Sequence, residues 1–519
     1  MRSYDGVAMK ILCLTYKSVT LELENNKTAY FAPAEFTVTL NGKAVKKTGK
    51  NVFSLFGLES GKGYTVEASG ERAEFVLPAP YAEADVKLFG ARGDGKHDDT
   101  DAFVAAINCM PAGSVVTVPA GVYAVGPLFL KSGITVYLEK GAHLSFRTDR
   151  EKYPVLPAVI NCADGTLNFG TWQGEEADCF ASPLYSYGQK NIAVIGEGEI
   201  DCNAADGDWY VNHRVKRGAW RPRGMFFNRC ENVLVQGVTV KNTASWNIHP
   251  YFCKDVKLYG LSLQNPPEMP TTDGVDPDCC DGVEIIGADI SVGDDCIAVK
   301  SCTLEAAEKY RTACKNITIR NCLMREGHGG VVFGSELSGG IENVLVERCI
   351  FDGTDRGFRI KTRRGRGRIG KCDGVNFSNV IMKNVRVPFV INMYYNMGDE
   401  NGHTEYVWST KKLPVDNRTP EVGSFCFKNV LCTGVEYAAG AFYGLPESPI
   451  KRVELERVSF TYNTDCEAGF PDMCEKNEAV KNIGLDFRFT EGVRLKDVTF
   501  CGVSGEKVLT ECVGETEIN

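Results

Sequence analysis

From residue 190 onward one short phrase keeps returning, roughly Asn-Val-x-Val, then a Gly or Asn, then another short apolar strand. Copies include KNIAVIGEGEIDC, ENVLVQGVTVKNT, KDVKLYGLSLQNP, DGVEIIGADISVG, KNITIRNCLMREG and ENVLVERCIFDGT, with later ones down to EGVRLKDVTFCGV. A period of roughly twenty-odd residues, built from β-rich pieces without helices between them, fits stacked coils. It predicts an all-β chain whose main body is a right-handed parallel β-helix, rather than a propeller or a leucine-rich horseshoe. Cys230, Cys253, Cys280, Cys302, Cys322 and Cys349 recur near the same period, so they are expected to stack as small apolar residues inside adjacent coils.

The first part of the chain has a different rhythm. SVTLELE and AEFTVTL alternate apolar and polar positions, and Asn41-Gly42 is a hairpin turn signal. A small antiparallel β-sandwich over residues 1–83 follows, ending in the Pro- and Ala-rich AEFVLPAPYAEA. This module resembles a fibronectin type III domain. Residues 84–519 form the β-helix domain, with DDTDAFVAAINC as a helical cap over its open end, N-capped by Thr100 and carrying Phe103, Val104 and Ile107.

Composition narrows the function. A net charge of -9 disfavours a nucleic-acid binder, and no apolar run is long enough to span a membrane. The first 25 residues contain no signal-peptide core, which predicts a cytoplasmic protein, and the 21 cysteines are read as free thiols. No spaced ligand set points to a metal or an organic cofactor. Oligomeric state has no signature.

In stacked coils about 4.8 Å apart, positions one turn apart become neighbours. Asp273 in TTDGVDPDCC and Asp294 and Asp295 in SVGDDCIAVKSC are one such turn apart. His328, in GHGG, joins them once LEAAEKYRTACK bulges out as a loop. Arg359 and Lys361, in GFRIKTRR, share one face of the next strand while Ile360 points inward. Clustered carboxylates with a cationic rim suit glycoside hydrolysis: an acid for the leaving oxygen, a carboxylate for water, and positive charge for an anionic sugar. Crowding is expected to leave one aspartate protonated near neutral pH.

TTDGVD, GDDCIAVKS, GHG and RIK, in this order, resemble the signatures of glycoside hydrolase family 28, the polygalacturonases. The opening FGARGDGKHDDT similarly resembles the pectin-lyase-like β-helix superfamily. The resemblance implies hydrolysis of α-1,4-galacturonosyl bonds in pectic poly- or oligosaccharides with inversion. Asp294 is then the general acid, Asp273 and Asp295 activate water, and His328 supports the acid's protonation. Arg359 and Lys361 bind a galacturonate carboxylate. Tyr394 or Tyr395 lines the site. Inversion implies carboxylates about 6.5–9.5 Å apart. The family's usual Asn-Thr-Asp is Thr271-Thr272-Asp273 here.

Insertions at 144–188 and 396–420 would close one end of the groove and make the enzyme exo-acting. A rhamnogalacturonan or xylogalacturonan hydrolase, and a non-catalytic polysaccharide-binding β-helix, are the alternatives. Asp276, Asp278 and Asp281 read as turn or solvent-facing residues, RRGRGR as either a substrate-contacting or a solvated loop, and Trp172 as exposed.

Overall fold

The computed structural model describes residues 8–24, 27–163, 165–367, 369–396, 403–475 and 477–519. From Glu83 onward the chain winds through a 28-stranded sheet in which strands of successive coils pair in parallel, forming a β-helix. The repeated phrase has a structural cause. Its second residue, Asn191, Asn232, Asp255, Gly282, Asn316, Asn343 or Gly374, adopts positive φ between 53° and 81° and turns the corner of a coil. Asn, Asp and Gly tolerate that conformation best. The asparagine side chains also stack, Asn232 on Asn191 at 2.7 Å and Asn343 on Asn316 at 2.7 Å.

The next apolar residue of each phrase points inward and meets its counterpart in the following coil. Val233, Val256, Val283, Ile317, Val344 and Val375 form one such file in register. All are buried. Each contributes roughly 1.5–3 kcal/mol of apolar burial, so the file, and not any one strand, holds the coil. The spacing is less regular than the phrase suggests, because hairpins and helices interrupt the coils. Leu304–Tyr310 is one such insert, a short helix lying where LEAAEKYRTACK was expected to bulge.

Two details depart from expectation. Cys230, Cys253, Cys280, Cys322 and Cys349 lie in the helix interior, but Cys302 does not. Cys314 takes that place, and Cys302 sits in a lateral cluster with its sulfur 2.9 Å from that of Cys279. The capping helix spans Thr100–Cys109 with Asp99, not Thr100, at the N-cap. Asp99 spends its carboxylate on the amides of Arg92 and Gly93, and the buried face is Ala102, Phe103, Ala106 and Ile107, leaving Val104 outside.

Ahead of the coils, strands Lys10–Leu14, Val19–Glu22 and Val52–Leu55 form one antiparallel sheet. Phe31–Leu40, Lys43–Lys50, Gly63–Ala68 and Glu71–Val76 form the other. Asn41 and Gly42 both have positive φ, as a tight hairpin turn requires. The sheets enclose their own core around Val19, Leu21, Val38, Phe53 and Val66. They also lie along the flank of the helix, Val52 against Tyr259 and Ile286, and Tyr30 against Leu323 and Ile350. Gly237 marks how close the two parts come: a Cβ there would sit 2.2 Å from the Phe56 ring.

Candidate active site

Three consecutive coils supply the central acids and the histidine. Val275 pairs with Ile297, and Asp295 with Gly329, so Asp273, Asp294 and Asp295, and His328 fall into one strip. Arg359 and Lys361 follow in the next coil, where Val332 pairs with Arg359 and Gly334 with Lys361. Side-chain alternation buries Phe358 and Ile360 in the interior and leaves the two cations on the strip. One oxygen from each of Asp273, Asp294 and Asp295 lies within 4.8 Å of the others. That is closer than the 6.5–9.5 Å expected, because the coil spacing itself brings the acids together. A cation could bridge such a set, but lysine ammonium groups already supply the charge. Lys361 Nζ lies 2.5 Å from Asp295, and Lys300 Nζ lies 3.8 Å from Asp273.

The charges are buried and unevenly matched. Asp294 is the most accessible acid of the three; its Oδ1 faces His328 Nδ1 at 3.4 Å and its Oδ2 accepts the Thr271 amide at 3.2 Å. Burial alone would raise Asp294, but the His328 hydrogen bond and charge, then Lys361 and Lys300, hold it well below the ordinary carboxylate range. The same contact lifts His328 to about 8 against its own desolvation. Asp273 goes the other way: burial first, then the charges of Asp276 and Asp294, push it well above the usual range. Asp276 is raised to about 8, again chiefly by burial. The expected protonated aspartate is therefore present, but it is Asp273 or Asp276 and not Asp294.

Several residues of this strip escape sequence reasoning. Asp276 and Asp278 are fully buried, not solvent-facing. They share a face opposite to the inward Val275, and Asp278 pairs with Lys300 of the next coil. The two-residue alternation that places Arg359 and Lys361 would have placed these as well. Lys300 lies 3.5 Å from Asp276 and 3.5 Å from Glu336. Although burial opposes it, Glu336, Asp276, Asp273 and Asp295 push its ammonium well above the ordinary lysine value. Asp472 comes from a distant loop with no signal in the sequence; it accepts from Arg359 through one oxygen and from Asn392 through the other.

The two tyrosines separate. Tyr395 is sandwiched near the cations, with Arg359 5.6 Å and Lys361 5.7 Å from its ring centre. Tyr394 turns away and packs near Arg364. Arg364 itself is neither a solvated nor a substrate-facing loop residue. It is buried, bonded to Glu447 at 2.6 Å and to the carbonyls of Tyr406 and Ser409, and so pins the insertion beyond residue 403. Residue 368 of the RRGRGR run and residues 397–402 of the 396–420 insertion lie outside the described residues.

Trp172, expected at the surface, is buried. Its ring stacks on Trp220 at 4.9 Å and lies parallel to Trp246 at 6.2 Å, while Lys300 sits 4.8 Å from the Trp246 ring. The insertion that carries Trp172 reaches the acid-bearing coils, where Gly174 accepts a hydrogen bond from the Thr303 amide at 3.2 Å.

Comparison with known proteins agrees with this geometry. The family model described as "Glycosyl hydrolases family 28" matches residues 111–440. A probable polygalacturonase of Vitis vinifera is 27% identical over 379 residues, covering 72% of each chain. Among solved structures, the family 28 exopolygalacturonase of Yersinia enterocolitica aligns with a TM-score of 0.72 at 20% identity, covering 98% of both chains. The exopolygalacturonase of Thermotoga maritima aligns at 0.66 and 24% identity, covering 82% of this chain and 93% of its own. The sequence match covers the acid strip and its cationic rim, and the fold match covers the coils that build them: the chain is a glycoside hydrolase and belongs to glycosyl hydrolases family 28.

Proposed function

We propose that this chain is a polygalacturonase that hydrolyses α-1,4-galacturonosyl linkages of polygalacturonate and its oligomers, acting from a chain end; inversion is carried by the family resemblance and not by the acid spacing, which is shorter than an inverting pair is expected to show. One observation carries the reading. Three carboxylates from adjoining coils meet within 4.8 Å, and the buried pair Arg359 and Lys361 stands at one end of them. That is the charge pattern for cutting a glycosidic bond next to a uronate.

The roles follow from the surroundings of each group. Asp294 protonates the leaving oxygen. With Asp294 held low and His328 raised, their shared proton sits on His328, and the 3.4 Å contact is the route by which it reaches Asp294 as an anionic sugar binds. Asp295, steadied by Lys361, takes the proton of the attacking water, and Asp273, holding its own proton, orients that water. Arg359, Lys361 and Tyr395 receive the sugar whose carboxylate adjoins the cut. The exo mode is supported by the 144–188 insertion folded against the acid-bearing coils and by the Arg364 clamp on the second insertion.

Incubation with purified oligogalacturonides tests both parts. Release of monomer or dimer alone, of inverted anomeric configuration, is the expected result. A ladder of intermediate oligomers would sink the exo mode, retained configuration would sink inversion, and no cleavage would sink the reading itself.

A further inference from the structure

The strap at residues 212–223 is rich in cations: Arg214, Lys216, Arg217, Arg221 and Arg223. Lys216 pairs with Asp178 at 3.0 Å and Arg217 with Asp208. Arg221 differs. It is 4% exposed, and among the described residues no carboxylate pairs with it. Its guanidinium lies 5.5 Å from the Trp172 ring centre and 5.9 Å from that of Tyr210. One amino group donates to the Ala244 carbonyl, the other donates to Thr271 Oγ1 at 2.7 Å, and Nε has no acceptor. Burial pulls the guanidinium down to about 10, and its nearby cations, Arg223 and Arg150, act in the same direction.

A buried cation without a counter-ion is costly, and aromatic faces offset only part of that cost. The fold nevertheless holds this one beside the reaction centre. Thr271, which accepts from Arg221, donates its amide to Asp294. Arg221 approaches from coils before Asp273, whereas Arg359 and Lys361 come from the coil beyond His328. A coil step of about 4.8 Å is comparable to the advance of one sugar along an extended glycan. Arg359 and Lys361 already face Asp472 and Asp295. Among the described residues Arg221 faces no carboxylate.

We infer that Arg221 binds the carboxylate of the sugar on the Asp273 side of the scissile bond, so that a uronate is read on both sides of the cut. This rests on the galacturonosyl hydrolase reading. Trigalacturonate and three analogues, each with one carboxyl reduced to the alcohol, test it by kcat/KM. In the wild type, reduction at the Arg221 position is expected to cost about 10²-fold, the loss typical of an ion pair with one partner removed. In Arg221→Gln that same reduction costs less than about 2-fold, while the other two reductions cost what they do in the wild type.

Unchanged ranking of the four substrates in Arg221→Gln, or an equal loss on all of them, would overturn the assignment. If that variant does not fold by thermal melting, Arg221→Lys carries the same test. It keeps the charge without the fork, and a specific loss of about 10-fold at one position supports the site, whereas a uniform loss overturns it. A wild-type enzyme that leaves trigalacturonate uncut would instead refute the hydrolase reading, a distinguishable failure.

Discussion

Two buried charge clusters in this molecule are built on opposite terms. Where the N-terminal sheets meet the β-helix, Glu22 is 1% exposed. Its two oxygens accept from Arg320 Nε and Nη2 at 2.9 and 2.8 Å, from Arg348 at 2.9 Å and from Asn321 at 2.8 Å. In the acid strip, by contrast, neither oxygen of Asp276 makes a hydrogen bond, and Asp295 Oδ1 and Asp278 Oδ2 make none. A saturated carboxylate fastens two parts of a protein together. Unsaturated ones, crowded together, cost stability and are tolerated where chemistry needs them.

Exchanging a member of each cluster should therefore give opposite phenotypes. Asp294→Asn keeps the side chain's shape and removes its proton chemistry, so kcat on oligogalacturonides should fall by about 10³-fold or more while the melting temperature stays within a few degrees. Retained turnover would remove Asp294 from the mechanism. Glu22→Gln should do the reverse. It removes the shared counter-charge of two half-buried guanidinium groups, Arg320 and Arg348, and denaturant unfolding should show a loss of about 2–3 kcal/mol. The kcat measured well below the melting temperature should be unchanged; a large fall in kcat would mean that the interface reaches the acid strip.

The difference between the clusters also explains what the sequence reveals. The acid strip was legible because its residues recur in short motifs on a lattice whose period is visible, so Asp273, Asp294, Asp295, His328, Arg359 and Lys361 could be aligned by counting. Glu22 and Arg320 are separated by most of the chain and belong to no repeat; only docking of the sheets brings them together. Asp472 and Arg221 were invisible for the same reason, since each arrives on an irregular strap with no periodic register. Burial was the second gap. Trp172 and Asp276 read as surface residues because nothing local to them announces that another segment will cover them.

The two histidine-sensitive properties of the strip provide a finer probe. His328 is raised to about 8 by Asp294, so its imidazolium is present at neutral pH and is lost as the pH climbs through that value. A raised pKa means that the pair's contribution to stability is fully present below the ordinary value of 6.5 and disappears through about 8. If the proton for the leaving oxygen comes from this pair, kcat/KM should decline above about pH 8. His328→Gln should lose about 10²-fold at neutral pH and abolish that alkaline limb. An identical limb in the variant would assign it to another group.

Asp276 gives the smallest effect, and its sign discriminates most sharply between the two clusters. Its folded-state value of about 8 lies above the ordinary 3.8, so the native protein keeps a proton that the unfolded chain has released between these limits. Stability should then fall as pH rises from about 4 to about 8, because the native state increasingly holds a proton the unfolded state does not. Asn at this position is neutral throughout and nearly the same shape. Asp276→Asn should match the wild type near pH 4 and exceed it increasingly as the pH rises toward 8, read from melting curves across that range. A variant less stable than the wild type near pH 8 would show that Asp276 is ionised and matched like Glu22, and the contrast between the clusters would fail at that residue.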